Sequence, residues 1–153
     1  MNELTKKAYE TWKNADLADE ALVKEMASIE NDEEAINDRF YKELAFGTGG
    51  LRGVLGVGSN RMNIYTVGKA SRGLANYINS ISKTPKIAIS YDSRHNSDVF
   101  AKRAASIFAG AGIKVYIWKE LMPTPALSFA VRELGCDGGI MVTASHNPAP
   151  FNG

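Results

Sequence analysis

The sequence predicts an α/β fold in which helices cover both faces of a largely parallel sheet. Short apolar runs alternate with stretches of helical periodicity between residues 64 and 142. Such runs are typical of strands that are buried on both faces of a parallel sheet. A charged stretch with neither Gly nor Pro, residues 3–44, comes before them and predicts a helical N-terminal segment.

The N-terminal segment, residues 1–45, carries apolar side chains at steps of three and four residues, which is the spacing of one helix face. Asn31 followed by Glu34 predicts a capping box for a helix whose inner face holds Ile36, Phe40 and Leu44. We expect this segment to be packing scaffold. Its other inward positions are Tyr9, Trp12, Leu22, Met26 and Ile29.

The body, residues 46–153, is predicted to alternate helices and strands. The predicted helices are 64–82, 97–111 and one that Thr124 caps with Pro125 in its first position, and the predicted strands are 86–91, 115–118 and 140–142. Gly112 and Gly135 are expected to end helices. No repeat, low-complexity tract or long linker interrupts residues 1–153, so we expect a single domain.

Composition excludes several classes of protein. The chain has 153 residues, 44% of them hydrophobic and 23% charged, with a formal net charge of +1, so no global field favours nucleic acid. No apolar run approaches the roughly 20 residues of a membrane span, and the polar amino terminus does not resemble a signal peptide. The lone Cys136 excludes an internal disulfide, and we expect a cytoplasmic protein.

Polar residues follow two of the predicted strands. The sequence TASHNP at 143–148 places Ser145, His146 and Asn147 after the last strand, and YDSR at 91–94 follows an earlier one. Since the carboxyl ends of parallel strands lie at one edge, where α/β proteins bind ligands, we group Arg94 with Ser145. The alternative is that Asp92 and Arg94 form only a structural ion pair.

A glycine-rich stretch, FGTGGLRG at 46–53, holds one cation, Arg52. Backbone N–H groups in such loops can form an anion-binding nest, and Arg52 could add a forked donor for phosphate. Gly56 and Gly58 continue the run of glycines. The spacing fits neither the P-loop nor the dinucleotide fingerprint, and a solvated glycine-rich connection remains the alternative.

Ser145 suits the role of phosphoryl acceptor better than that of hydrolase nucleophile. A serine can carry a phosphoryl group as a covalent intermediate, and nearby cations and donors can offset the charge of its oxygens. The surroundings are not G-x-S-x-G, and no acidic residue stands in an obvious position to orient His146. A turn in which Ser145 and Asn147 only cap the local backbone is the other interpretation.

Three stretches together resemble the α-D-phosphohexomutase family: FGTGGLRG, YDSR and TASHNP. NRMNIYTVGKAS at 60–71 and PTPALSFAV at 123–131 are most similar to its bacterial α-phosphoglucomutase and phosphopentomutase branch. The resemblance covers nearly the whole chain. It implies the first domain of a larger enzyme that acts on a hexose or pentose monophosphate, with a phosphorylated Ser145. The fold implied for this domain is a three-layer α/β/α arrangement with a mixed, mostly parallel sheet of about four strands.

The resemblance also implies roles for individual residues. His146 would handle a proton or donate beside the phosphoryl group, and Asn147 would mostly hold the loop. Thr48, Arg52 and Arg94 would bind phosphate. The implied reaction interconverts glucose 1-phosphate and glucose 6-phosphate, with glucose 1,6-bisphosphate as intermediate and activator and with Mg²⁺ on the phosphate of Ser145.

Other parts of the family pattern are not in these 153 residues. The metal-binding aspartate loop, DGDxDR, and the sugar- and phosphate-binding loops of later domains are missing, Phe151 replaces a usual tyrosine, and Gly153 precedes an expected lysine by two positions. We therefore expect the missing C-terminal domains to be partners of this chain, and the fragment alone to be inactive. The alternative function is a non-catalytic phosphate-binding or partner-docking module.

Overall fold

The computed structural model describes residues 1–153 and divides into two compact units. The first unit comprises Met1–Thr66 together with Gly153, and the second comprises Val67–Asn152. The division lies within a helix and does not follow the predicted boundary between residues 45 and 46. That residues 1–153 form a single domain stays a prediction.

The first unit begins with three short helices, α1 (Glu3–Lys13), α2 (Glu20–Ser28) and α3 (Glu33–Phe40). A side-chain oxygen caps each of them by accepting from backbone N–H groups of the first turn, and the three caps are Asn2, Asp19 and Asp32. The predicted capping residue of α3, Asn31, is wrong by one position, because Asp32 Oδ1 accepts from Ala35 N at 2.9 Å.

The core of the first unit confirms the apolar face that the periodicity predicted. Phe40 is 2% exposed, and the ring centroids of Tyr9 and Trp12 lie 5.6 and 6.1 Å from its own in edge-to-face geometry. The strand β1 (Gly53–Val54) and the start of a long helix, α4 (Ile64–Ile81), also belong to this unit. The buried cluster consists of Tyr9, Leu22, Met26, Ile29, Ile36, Phe40 and Val57.

The second unit is built on a three-stranded parallel sheet. Its elements after α4 are β2 (Lys86–Tyr91), α5 (Ser97–Gly110), β3 (Lys114–Ile117), α6 (Thr124–Glu133), β4 (Gly138–Val142) and β5 (Phe151–Asn152). The strand order is β3-β2-β4, with Ile89 of β2 opposite Ile117 on one side and Ile140 on the other. The sheet thus has three strands where about four were predicted, because β1 and β5, with two residues each, lie outside it.

Helices cover both faces of this sheet. A Cβ on Gly139 would lie 2.7 Å from Val131 of α6, whereas one on Gly138 would face Ile78 of α4. Successive strand residues point to opposite faces, so α6 and α4 pack on opposite sides. Arg103 of α5 closely approaches α4 at Gly68, so α5 lies on the α4 side. The predicted α/β/α layering is confirmed.

The two glycines predicted to end the later helices are confirmed, whereas the predicted cap of α6 is wrong. Gly112 and Gly135 adopt φ values of +78° and +61° just after α5 and α6, as expected of residues that end helices. Thr124, however, is the first residue of α6 and not its cap. The cap position belongs to Pro123, whose carbonyl oxygen accepts from Ala126 N and Leu127 N. None of the helices combines the length and apolarity that a bilayer crossing demands.

Candidate active site

The two central polar motifs begin at the same edge of the sheet. Tyr91 of β2 and Val142 of β4 are paired in register, and Asp92 and Thr143 follow them directly. Asp92 N donates to Val142 O at 3.1 Å, which carries the ladder one step beyond the strands. The fold therefore brings YDSR and TASHNP together, as the parallel arrangement predicted.

Ser145 occupies an exposed turn with an unusual backbone. Its φ is +51°, in the left-handed region, where a residue with a Cβ is disfavoured by about 1–2 kcal/mol. Ala144 before it is fully buried, and Asn147 N donates to Ala144 O at 3.0 Å to close the turn. Ser145 Oγ lies 3.3 Å from His146 Nδ1, so the hydroxyl and imidazole are within reach of a weak hydrogen bond. Strained residues of this kind cluster at functional sites.

A chain of hydrogen bonds runs from the backbone N–H of Ser145 into the interior of the second unit. Ser145 N donates to Thr143 Oγ1 at 2.9 Å, and the Thr143 hydroxyl donates to Asp92 Oδ2 at 2.6 Å. The other carboxylate oxygen of Asp92 accepts from the Ser97 hydroxyl at 2.8 Å. Asn152, which is fully buried, donates its amide to Ser97 Oγ at 2.9 Å. The serine turn is thus connected to buried polar groups of the second unit.

Arg94 contacts the backbone of the same loop. Its Nε lies 3.8 Å from Asp92 Oδ2, so the ion pair considered as an alternative is present. Its two terminal nitrogens donate to four carbonyl oxygens, which are those of Ser145 at 2.7 Å, Asn147 at 2.5 Å, Pro148 at 3.2 Å and Phe151 at 3.1 Å. That Arg94 binds phosphate stays a prediction.

The glycine-rich stretch lies in the first unit and forms a tight turn. Gly47 N donates to Gly50 O at 2.8 Å, and Phe46 and Leu51 form an antiparallel bridge across the turn. Thr48 lies in the exposed turn, and Arg52 is exposed just after it. That Thr48 and Arg52 bind phosphate stays a prediction.

The next two glycines serve packing. Glu25 approaches Gly56 so closely that a Cβ there would lie 2.7 Å from its carboxylate, and Val57 N donates to the same carboxylate at 2.8 Å. A Cβ on Gly58 would lie 2.6 Å from Arg39 O. The backbone N–H between these glycines therefore already binds an anion that belongs to the protein.

Comparison with known proteins identifies the family. Residues 43–153 match the family model "Phosphoglucomutase/phosphomannomutase, alpha/beta/alpha domain I". The chain belongs to this family. The match includes the glycine-rich turn, the sheet and the serine turn, and it confirms the family resemblance seen in the motifs.

Relatives place this phosphoglucomutase/phosphomannomutase domain within larger proteins. A phosphoglucomutase of Staphylococcus epidermidis is 45% identical over 138 residues, which are 90% of this chain and 25% of that protein. A phosphoglucomutase of Staphylococcus aureus is 44% identical over 136 residues, or 89% of this chain and 24% of that protein. The chain spans about a quarter of the length of these relatives.

A solved structure supports the same assignment. A crystal structure described as a putative phosphomannomutase from Thermus thermophilus superposes with a TM-score of 0.67 at 34% identity. The superposition covers 72% of this chain and 24% of that one. The α/β/α fold of this phosphoglucomutase/phosphomannomutase domain is therefore shared with a larger protein of the same family.

The supporting residues of the family domain were harder to find than the serine. Sequence reasoning selected neither Thr143 nor Ser97 nor Asn152, and it considered Asp92 only as the partner of Arg94. One signal was available, since Asp92 and Thr143 each directly follow the last residue of a strand. Asn152 and Ser97 are 55 positions apart, and nothing in their local sequence indicates that they meet.

Asp92 is held as a carboxylate by its surroundings. Burial alone would raise its pKa, but the hydrogen bonds from the Thr143 hydroxyl, the Arg94 backbone and the Ser97 hydroxyl lower it, as does the Arg94 charge. The balance places the pKa of Asp92 below its ordinary value of 3.8. The folded protein therefore favours the ionised form of the Asp92 carboxyl over its protonated form.

The lowered pKa predicts how stability depends on pH. Because the folded pKa lies below the unfolded one, the carboxylate stabilises the fold fully above the unfolded pKa, and this contribution is lost as pH falls through the folded pKa. We expect the difference in unfolding free energy between the wild type and Asp92→Asn to be constant from neutral pH to about pH 5 and to shrink below about pH 4. Urea unfolding across this range measures it, and a difference that grows on acidification would contradict the assignment.

Proposed function

We propose that this chain is the phosphoserine-bearing domain of a phosphoglucomutase-type enzyme that interconverts glucose 1-phosphate and glucose 6-phosphate. The observation that carries the proposal is Ser145, exposed in a left-handed turn beyond two parallel strands, with His146 beside its hydroxyl. Membership of the phosphoglucomutase/phosphomannomutase family supports the same reaction class. The substrate would be a hexose or pentose monophosphate.

The proposed chemistry uses Ser145 as carrier of one phosphoryl group. A sugar hydroxyl attacks the phosphorus, the bond from phosphorus to Ser145 Oγ breaks, and a sugar bisphosphate forms while the proton of the sugar hydroxyl is transferred to the departing Ser145 Oγ. In the return step Ser145 Oγ attacks the other phosphoryl group, and the sugar oxygen leaves and takes a proton. His146 Nδ1 is close enough to Ser145 Oγ to accept or return its proton.

Cations would offset the charge on the phosphoryl oxygens. Arg52 and Thr48 are proposed to bind these oxygens, with Asn147 in the serine loop. A magnesium ion would supply further positive charge when bound. No cluster of three or more His, Cys, Asp or Glu side chains in the structure is arranged to hold a metal ion. Within this chain, a phosphorylated Ser145 would provide the oxygen ligands that Mg²⁺ prefers.

A mass measurement on the full-length protein tests the proposal. After incubation with glucose 1,6-bisphosphate, we expect the intact mass to rise by one phosphoryl group and a phosphopeptide to contain Ser145. A coupled assay for glucose 6-phosphate should then show turnover. An unmodified Ser145 in protein without turnover would reject the mutase and favour a non-catalytic phosphate-binding or docking module.

The 153-residue chain by itself is proposed to be inactive. It spans about a quarter of its relatives, and the other domains are its proposed partners. We expect no glucose 6-phosphate formation by the purified chain in the coupled assay, with the full-length protein as positive control. Turnover by the chain alone would refute this.

We also place the protein in the cytoplasm. Cys136 is its one cysteine and is unpaired, and burial raises the pKa of its thiol, which keeps it protonated at neutral pH. A free thiol is typical of a reducing compartment. Cell fractionation followed by immunoblotting checks this location, and recovery of the protein in a secreted fraction would contradict it.

A further inference from the structure

We propose that Arg94 and Asp92 are positioning residues, which together fix the backbone of Ser145 so that its hydroxyl is held in one direction for phosphoryl transfer. This inference rests on the proposed function of Ser145. Neither side chain is assigned a contact with the substrate. Each acts on the serine through the loop.

Arg94 holds the carbonyl side of the loop. A guanidinium carries two N–H donors on each terminal nitrogen, and the structure provides one carbonyl acceptor for each of these four donors. The remaining donor, on Nε, faces Asp92. The Arg94 side chain is only 18% exposed. A phosphate on Arg94 would have to replace bonds to the loop, so the geometry favours a clamp on the backbone over a phosphate ligand.

Asp92 holds the amide side of the same residue. Its carboxylate accepts a hydrogen bond from the Thr143 hydroxyl. Because the hydroxyl proton points to Asp92, a lone pair of the same oxygen is available to accept from Ser145 N. Thr143 can present that lone pair reliably only while Asp92 fixes the hydroxyl rotor. Asp92 is fixed in turn by Ser97 and by the backbone N–H of Arg94.

We call the hydrogen bonds from Arg94 the carbonyl arm and those that run from Asp92 through Thr143 the amide arm. Both arms reach Ser145. Ser145 donates its N–H to Thr143 and its carbonyl oxygen accepts from Arg94, so both of its peptide groups are held. The left-handed φ of +51° is disfavoured for serine and persists only where the surroundings over-determine it. Releasing either arm would let the backbone relax and turn Oγ away from its direction. Misplacement of a reacting group by about 1 Å can reduce the rate about 100-fold.

The first test changes only the hydroxyl of the amide arm. In the full-length enzyme, Thr143→Val is expected to lower kcat about 100-fold with KM changed less than about threefold, and Thr143→Ser, which keeps the hydroxyl, should restore most of the loss. Thermal unfolding would verify that both variants fold. Equal kcat values for the Val and Ser variants would overturn the role of the Asp92–Thr143 arm.

The second test separates a clamp from a phosphate ligand. In ¹⁵N NMR spectra of the 153-residue chain without any anion, Arg94→Lys is expected to shift the amide signals of Ser145 and His146, because one ammonium cannot replace four directed donors. Arg132→Lys is the matched control, since Arg132 lies on the exposed side of α6 and its side chain donates only to Ser128 Oγ, at 2.9 Å. Unmoved apo signals combined with lost phosphate-induced shifts would overturn the clamp and make Arg94 a ligand.

Failure of the proposed function of Ser145 and failure of the positioning role of Arg94 give different results. If wild-type Ser145 never becomes phosphorylated, the proposed function fails, while the anion-free NMR comparison still decides the clamp. If wild-type Ser145 is phosphorylated and Arg94→Lys is phosphorylated at the same rate with unmoved apo signals, the positioning role fails and the proposed function stands.

Discussion

Ser145→Ala is expected to abolish the phosphoryl-enzyme and to lower kcat of the full-length protein by about 10⁴-fold or more. The reason is that the substitution deletes Oγ, the only atom proposed to carry the phosphoryl group between the two half-reactions. No other hydroxyl donates to or accepts from His146 in the structure, so none is placed to substitute. Intact-mass analysis and the coupled assay measure the two effects together.

Two further serine variants complete this experiment. Ser106→Ala is the matched control, since Ser106 lies on the exposed side of α5 and its hydroxyl bonds only Arg103 O, and it should leave phosphorylation unchanged. Ser145→Gly should be as inactive as Ser145→Ala yet more stable than it by about 1 kcal/mol, because glycine adopts a left-handed φ without strain. Retained phosphorylation in either Ser145 variant would mean that another residue is the carrier.

Gly58→Ala is expected to lower the free energy of unfolding by about 3 kcal/mol. Gly58 adopts a φ of +125°, and a Cβ there would lie 2.6 Å from Arg39 O, which is a backbone atom that cannot rotate away. Relief would require the loop to move from the end of α3. Urea unfolding of the 153-residue chain, followed by circular dichroism, measures the change.

Gly73→Ala is expected to change the free energy of unfolding in the opposite direction. Gly73 lies within α4, and no atom would stand within 4 Å of an added Cβ. Alanine should therefore stabilise the helix by about 0.5–1 kcal/mol. If Gly58→Ala did not lower the free energy of unfolding, the close approach to Arg39 would not limit stability. An anion-binding role for the whole glycine run would then regain support.

Most of the fold was predictable because its signals are local. The apolar period of the first 45 residues predicted the buried cluster around Phe40, and the continuous apolar run in β2 predicted a strand that is buried on both faces of the sheet. The errors were also local. In α3 the side chain of Asp32, and not that of Asn31, accepts from an N–H group of the first turn. In α6 the cap position is one residue earlier than predicted, at Pro123 and not at Thr124.

The serine site was only half predictable. The motifs and the parallel arrangement of the strands led to Ser145, His146 and a shared sheet edge from the sequence alone. The roles of Arg94 and Asp92 were not accessible in this way. Their partners lie 51 to 57 residues away along the chain, and sequence spacing does not say which carbonyl or hydroxyl a side chain will meet.

The sequence by itself determined the order of helices and strands, the family and the serine proposed to carry the phosphoryl group, because periodicity and motifs are properties of neighbouring residues. Only the tertiary structure decided how that serine is held and why Gly58 must be glycine. Both depend on contacts between distant segments, namely Arg94 with the loop carbonyls and Gly58 with Arg39. Such contacts exist only after the chain has packed.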